Sequence, residues 1–310
     1  MMNHKMRIIF MGTPDFAVAS LKALVESGQD IVAVITAPDR PAGRGMHLTP
    51  SPVKQYATSQ GLNVMQPERL KDEQFIESLK ALNPDLGIVV AFRMLPEIVW
   101  RLPRLGTFNL HASLLPQYRG AAPIHWAIIN GETETGVTTF FLKHEIDTGE
   151  IILQKRTPIA ENETTGSLYD RLMHLGAALV VETVKQIEMG TLHTTPQVVG
   201  QDLKPAPKIF KEMCRVDWNK RGSDIVNFVR GLQPSPGAFT VADGKVIKLH
   251  RVQFRACQHN LTIKQIVCLD QHIQIAVTDG FIEWMDIQPE GKKRMTSGEY
   301  LLGNTIKHLE

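Results

Sequence analysis

The 310-residue sequence predicts an α/β chain, an open, mostly parallel sheet with helices on both faces, followed by a smaller β-rich domain. Three observations carry this. Apolar runs of strand length alternate with helix-period stretches through the first half. A proline-bearing stretch at 190–207 (Pro196, Pro205, Pro207) then breaks the rhythm, and short strand-like runs separated by turn signals follow it. The first pattern is Rossmann-like and the second suits a small OB-like β-barrel. The expected division is 1–189 for the sheet domain, 190–207 for a linker and 208–310 for the barrel.

In order, Arg7 to Met11 reads as a first buried strand, too short for a signal-peptide core. Pro14 to Ser27 sets Phe16, Ala17, Leu21, Leu24 and Val25 at helical spacing. Ile31 to Thr36 is a second strand. The insertion from Pro38 to Lys54 is rich in proline and glycine and lacks a core of its own, so it is either functional or a floppy excursion. A helix is expected over Ser51 to Gln60, and strands at Leu86 to Phe92, Thr107 to Leu110 and Val137 to Leu142. Beyond the linker, Gly237–Ala242, Val246–Phe254, Ile263–Leu269, Ile273–Thr278 and Phe281–Ile287 supply the barrel, with Asp243-Gly244 and Asp279-Gly280 as turns.

Composition narrows the class. Hydrophobic residues make up 43% and charged residues 21%, as in soluble globular proteins. No apolar run approaches the ~20 residues a membrane span needs. Three cysteines (Cys214, Cys257, Cys268) without paired spacing argue against a disulfide scaffold and a structural zinc site, and favour a reducing, cytoplasmic location. The net charge of +2 conceals a block from Lys204 to Arg255 with eleven Lys/Arg against four Asp/Glu, a local +7 that leaves −5 for the rest. Such a block either faces a polyanion or is a solvated surface with chance clustering. The first strand-to-helix turn, Met11 to Phe16, holds a single glycine, which argues against a nicotinamide dinucleotide.

The residues suited to chemistry concentrate between Phe108 and Pro123. A strand ending in Asn109-Leu110-His111 turns the Asn and His side chains to one face, at the carboxyl end where open sheets place their ligands. An amide and an imidazolium can both donate to a developing oxyanion, at about 3–4 kcal/mol for each donor lost. Asp147, five residues past another apolar run, supplies a carboxylate that can keep His111 protonated or take a proton from an attacking amine. Each has a structural alternative. A strand-end histidine can be a hydrogen-bonded structural residue, and Asp147-Thr148-Gly149 can be a simple turn.

The string Asn109-x-His111-x-Ser113-Leu114-Leu115-Pro116, then Tyr118-Arg119-Gly120-Ala121-Ala122-Pro123-Ile124, resembles the folate-dependent formyltransferases, as does its spacing to Thr135-Gly136-Val137-Thr138 and Asp147-Thr148-Gly149. Three further stretches, Phe10 to Phe16, Asp39 to Gly45 and Gln288 to Lys293, are similar to the branch of that family that formylates initiator methionyl-tRNA. The resemblance implies a catalytic trio of Asn109, His111 and Asp147. It implies folate contacts at Ser113, Leu114, Leu115 and Pro116, and tRNA contacts at Arg40, Arg44 and Lys54 in the insertion and at Lys208 and Lys211 where the basic block opens. The implied donor is 10-formyltetrahydrofolate, without a metal, in a monomeric enzyme. Two departures stand out: Phe92-Arg93 replaces the family's Tyr-Gly, so that Arg93 is expected to point outward, and His125-Trp126 replaces a glutamine-containing pair. A family member acting on a small amine, and a non-catalytic RNA-binding relative, are the other readings.

Overall fold

The structure, a computed structural model, describes residues 5–42, 47–198, 200 and 202–310; Arg44 lies outside the described residues. Two compact units divide the chain. The first comprises Met1–Arg119, Gly136–Thr157 and Tyr169–Lys204, and the second Gly120–Thr135, Pro158–Leu168 and Pro205–Glu310. Two segments of the expected sheet domain, Gly120–Thr135 and Pro158–Leu168, thus belong with the C-terminal unit, and most of the expected linker belongs with the first.

The first unit alternates strands and helices, as the apolar rhythm predicts. β1 (Arg7–Gly12) leads into α1 (Asp15–Glu26), then β2 (Asp30–Ile35). The insertion is not structureless: β3 (Arg40–Ala42) and β4 (His47–Thr49) pair antiparallel, Arg40 opposite Thr49. α2 (Pro52–Ser59) starts where Ser51 Oγ accepts the Lys54 amide at 3.1 Å and Pro52 presets φ. After β5 (Val64–Met65), Asp72 caps α3 (Glu73–Ala81) through the Phe75 amide at 3.0 Å. β6 (Leu86–Val90), α4 (Glu97–Trp100) and β7 (Thr107–His111) follow. β8 (Glu134–Phe141), β9 (Ile151–Pro158) and the long α6 (Thr165–Met189) complete it, while α5 (Pro123–Ile129), between β7 and β8 in sequence, belongs to the second unit.

The sheet order is β5-β2-β1-β6-β7-β8-β9. β5 through β7 run parallel, and β8 is antiparallel to β7. Alternation along β1 explains why both faces are covered. Ile9 and Met11 join Phe75, Ile76 and Leu79 of α3 in one core, while Ile8 and Phe10, equally buried, face the other way. Gly87 lets β6 and β7 close up, since a Cβ there would stand 2.3 Å from Thr107 Oγ1.

The second unit is built on β10 (Ala238–Ala242), β11 (Lys245–Ala256), β12 (Ile266–Leu269), β13 (His272–Val277), β14 (Gly280–Pro289) and β15 (Met295–Thr296). α7 (Gly222–Gly231) precedes them, and α8 (Ser297–Leu301) closes the run on a Thr296/Glu299 capping box. The strands form an antiparallel sheet ordered β10-β11-β14-β13-β12 with β15 against β14. No ladder joins β10 to β12 among the described residues. Trp218 and Trp284, both fully buried, stack at 6.2 Å in its core; Trp218 Nε1 donates to Thr240 Oγ1 at 3.0 Å, while the Trp284 Nε1 proton meets no acceptor among the described residues.

Candidate active site

β7 delivers two of the three expected catalytic side chains. Asn109 and His111 share a face two residues apart, Asn109 half-buried and His111 only 6% exposed. The His111 Nε2 stands 2.8 Å from the Tyr118 carbonyl oxygen. A carbonyl only accepts, so Nε2 carries a proton and Nδ1 is the ring atom that can meet a reacting group. Tyr118 sits at φ +60, where a turn after the cis Leu115-Pro116 peptide brings its carbonyl back under the imidazole.

Asp147 is placed differently from the sequence expectation of a second carboxyl-terminal strand end. β8 is antiparallel to β7, with Thr138 opposite His111 and Phe141 opposite Phe108. The exit from β8 therefore lies beside the start of β7, and the 142–149 loop must carry Asp147 back. Its φ of +54 is left-handed, a conformation that aspartate adopts more readily than most non-glycine residues but still at a cost. Gln197 provides one restraint, donating from Nε2 to the Asp147 carbonyl at 2.9 Å and to the Gly149 carbonyl at 2.7 Å.

The expected folate stretch divides in two. Ser113 is fully buried and donates from Oγ to the Gln117 carbonyl at 2.6 Å, while its own carbonyl accepts Thr138 Oγ1 at 2.7 Å. Leu115 is 3% exposed; its amide donates to Thr138 Oγ1 at 3.2 Å, and its carbonyl accepts Gln154 Nε2 at 2.8 Å. These two residues brace the loop from beneath through their side-chain and backbone bonds. Leu114 and Pro116 keep surface for it. Gly136 makes room for Leu114, whose Cδ2 would lie 2.5 Å from a Cβ there.

Of the cations expected to meet tRNA, Arg40, Lys208 and Lys211 are exposed, and the Lys208 ammonium lies 5.4 Å from the Phe210 ring centroid. Lys54 is instead engaged within the fold, its Nζ 2.6 Å from Asp39 Oδ2. The Asp39 carboxyl is held below its usual range by hydrogen bonds from Gln66 and then Lys54. Arg93 does not project into solvent as expected. It is half-buried and turns onto the carbonyls of Pro67 and of Glu68, the latter at 2.9 Å, so the segment after β6 is tied to residues 67–68 by a side chain.

The second departure, His125, lies on α5 with Nε2 3.2 Å from the Ser235 carbonyl. Burial pushes its pKa below the ordinary value, and the Ser235 hydrogen bond pulls in the opposite direction. Because the folded state binds this proton less readily, the stability associated with His125 is full above the unfolded pKa of about 6.5 and is lost as pH falls toward the folded value. His125→Gln keeps a donor for Ser235 without titrating. Urea unfolding at pH 7.5 and 5.5 should show a smaller acid-side loss for the variant than for the wild type, and equal losses would show that His125 does not contribute.

Sequence reasoning gave no role to Arg119, Thr138, Gln154 or Gln197, all of which hold the loops around His111 and Asp147. Gln197 fell within the expected linker, and nothing in its neighbours marks it out. The first unit has the architecture of known formyl-transferring proteins. A family model described as formyl transferase matches residues 6–184, and one described as formyl transferase, C-terminal domain, matches 208–305. The methionyl-tRNA formyltransferase of Phocaeicola vulgatus is 58% identical over 309 residues, covering 96% of this chain and 95% of its own. That of Parabacteroides distasonis is 55% identical over 314, covering 98% and 97%. Among solved structures, the sugar 3N-formyl transferase WlaRD superimposes with a TM-score of 0.67 at 19% identity, over 94% of this chain and all of its own. HypX from Aquifex aeolicus in complex with tetrahydrofolic acid gives 0.63 at 20%, over 96% of this chain and 47% of its own; both show likeness of fold alone. With both family models matched in sequence order and relatives this similar from end to end, the chain belongs to the formyl transferase family.

Proposed function

We propose that this protein transfers the formyl group of 10-formyltetrahydrofolate to the α-amine of methionine on initiator methionyl-tRNA. The observation that carries this reading is the 50–58% identity, across both domains, to proteins named methionyl-tRNA formyltransferase. The side chains suit the chemistry. The amine nitrogen attacks the formyl carbon to give a tetrahedral oxyanion, whose collapse breaks the bond to the folate nitrogen, and that nitrogen leaves protonated as tetrahydrofolate. Asn109 Nδ2 and His111 Nδ1 donate to the intermediate oxyanion, and Asp147 orients His111 and receives the proton the amine gives up. Leu114 and Pro116 present apolar surface to the folate. Arg40, Arg44, Lys208 and Lys211 contact tRNA phosphates, and the enzyme works as a cytoplasmic monomer.

The test is formylation of initiator and elongator methionyl-tRNA by the purified chain. We expect formylmethionyl-tRNA to form faster on the initiator, with a KM that rises steeply with salt, as phosphate contacts require. Formylation of a nucleotide-sugar amine with none on methionyl-tRNA would replace this reading by the small-amine one. Binding of tRNA without any formyl transfer would leave only an RNA-binding role.

A further inference from the structure

Two loops must meet for the proposed reaction: the turn after β7, whose Tyr118 carbonyl bonds His111, and the 142–149 loop, which bears Asp147. The strand pairing alone does not bring them together, because β8 ends beside Phe108 rather than beside His111. One side chain spans the gap. Gln197 Nε2 donates to the carbonyls of Asp147 (2.9 Å) and Gly149 (2.7 Å), and its Oε1 accepts Arg119 Nε (3.1 Å) and Nη2 (2.6 Å). Arg119 directly follows Tyr118, whose carbonyl holds His111 Nε2 at 2.8 Å.

The orientation of this amide is determined by its partners. Two carbonyls require donors on one side and a guanidinium requires an acceptor on the other, so a flipped amide would lose all four bonds. Gln197 is itself anchored. Thr195 exchanges two 2.8 Å backbone bonds with Ile151, and the Tyr118 amide donates to the Lys204 carbonyl at 2.7 Å. The stretch of chain that reads as a linker is therefore a strap running between the two catalytic loops. The left-handed Asp147 backbone is what such a clamp has to hold in place.

We propose that Gln197 and Arg119 are a positioning pair that fixes the Asp147 loop against the His111 turn. This inference rests on the catalytic roles proposed above for His111 and Asp147. In Gln197→Ala the Asp147 carboxylate is no longer held at a set distance, so kcat should fall roughly 10- to 100-fold, while KM for methionyl-tRNA stays within about 2-fold because no substrate contact is lost. Gln197→Glu keeps an acceptor for Arg119 but turns a second acceptor toward two carbonyls, and should be as impaired as the alanine variant.

Amide hydrogen exchange across 143–149 tests the clamp without reference to activity. Exchange at least ~10-fold faster in Gln197→Ala than in the wild type is expected, and unchanged exchange overturns the clamp even if the wild type is active. A wild type that fails to formylate methionyl-tRNA overturns the proposed function instead, and the exchange result still decides the clamp. If exchange accelerates but kcat stays within about 2-fold, the pair is structural and the positioning role is rejected.

Discussion

Alanine at His111 is expected to lower formyl transfer to methionyl-tRNA by at least ~100-fold, the loss typical of removing an oxyanion donor. His111 is nearly buried, and its Nε2 satisfies the Tyr118 carbonyl, so this substitution also leaves a polar group without its donor. That second effect costs about 1–3 kcal/mol of stability and loosens the turn that carries Arg119. Asn109→Ala separates the two effects. Asn109 is half-buried, and its truncation should reduce kcat by a similar factor of roughly 100 while moving the unfolding midpoint far less. Single-turnover rates with saturating folate donor, read beside urea unfolding, distinguish chemistry from folding. A near-normal rate in Asn109→Ala would remove it from the oxyanion site.

Much of this site is legible in the sequence, for physical reasons that can be named. The β7 pair is local: period-two alternation puts Asn109 and His111 on one face whatever the rest of the chain does. The open α/β architecture is likewise written in the spacing of Ile8 to Met11, Leu21, Leu24 and the β6 run, because each must bury against a sheet or helix. The 38–54 segment was harder to read. Its prolines and glycines signal loop, yet Arg40 and Thr49 close a small hairpin whose pairing leaves no apolar periodicity behind. Ser113 and Leu115 stand in a string suggestive of ligand contact, but their bonds to Gln117, Thr138 and Gln154 place them beneath the surface. Gln197 is the extreme case: its bonds to Arg119 span 78 residues, and a single glutamine among Thr194, Thr195, Pro196 and Val198 carries no local mark of them. Periodicity reports which face is buried; it does not report which polar side chain bridges two loops.

Gly149→Ala should be the most damaging substitution outside the three side chains proposed to react. A Cβ at Gly149 would lie 1.5 Å from the Phe141 carbonyl oxygen and 2.7 Å from its carbon, backbone atoms of β8 that have no rotamer to retreat into. The loop has to move as a body. Gly149 is also one of the two carbonyls that Gln197 holds, so the shift pulls at the clamp as well as at Asp147 two residues earlier. A displacement near 1 Å at a reacting group can cost about 100-fold, so kcat should fall by at least that factor. Stability should drop by only about 1–3 kcal/mol, because residues 143–147 are largely surface chain and β8 keeps its pairing with β7. The contrast is the informative result. A variant that unfolds almost like the wild type but has lost its chemistry would show that the Asp147-Thr148-Gly149 turn is selected for where it puts a carboxylate. A variant with intact kcat would mean that the loop can slide without moving Asp147, and the tight passage of Gly149 past Phe141 would then be a matter of packing alone.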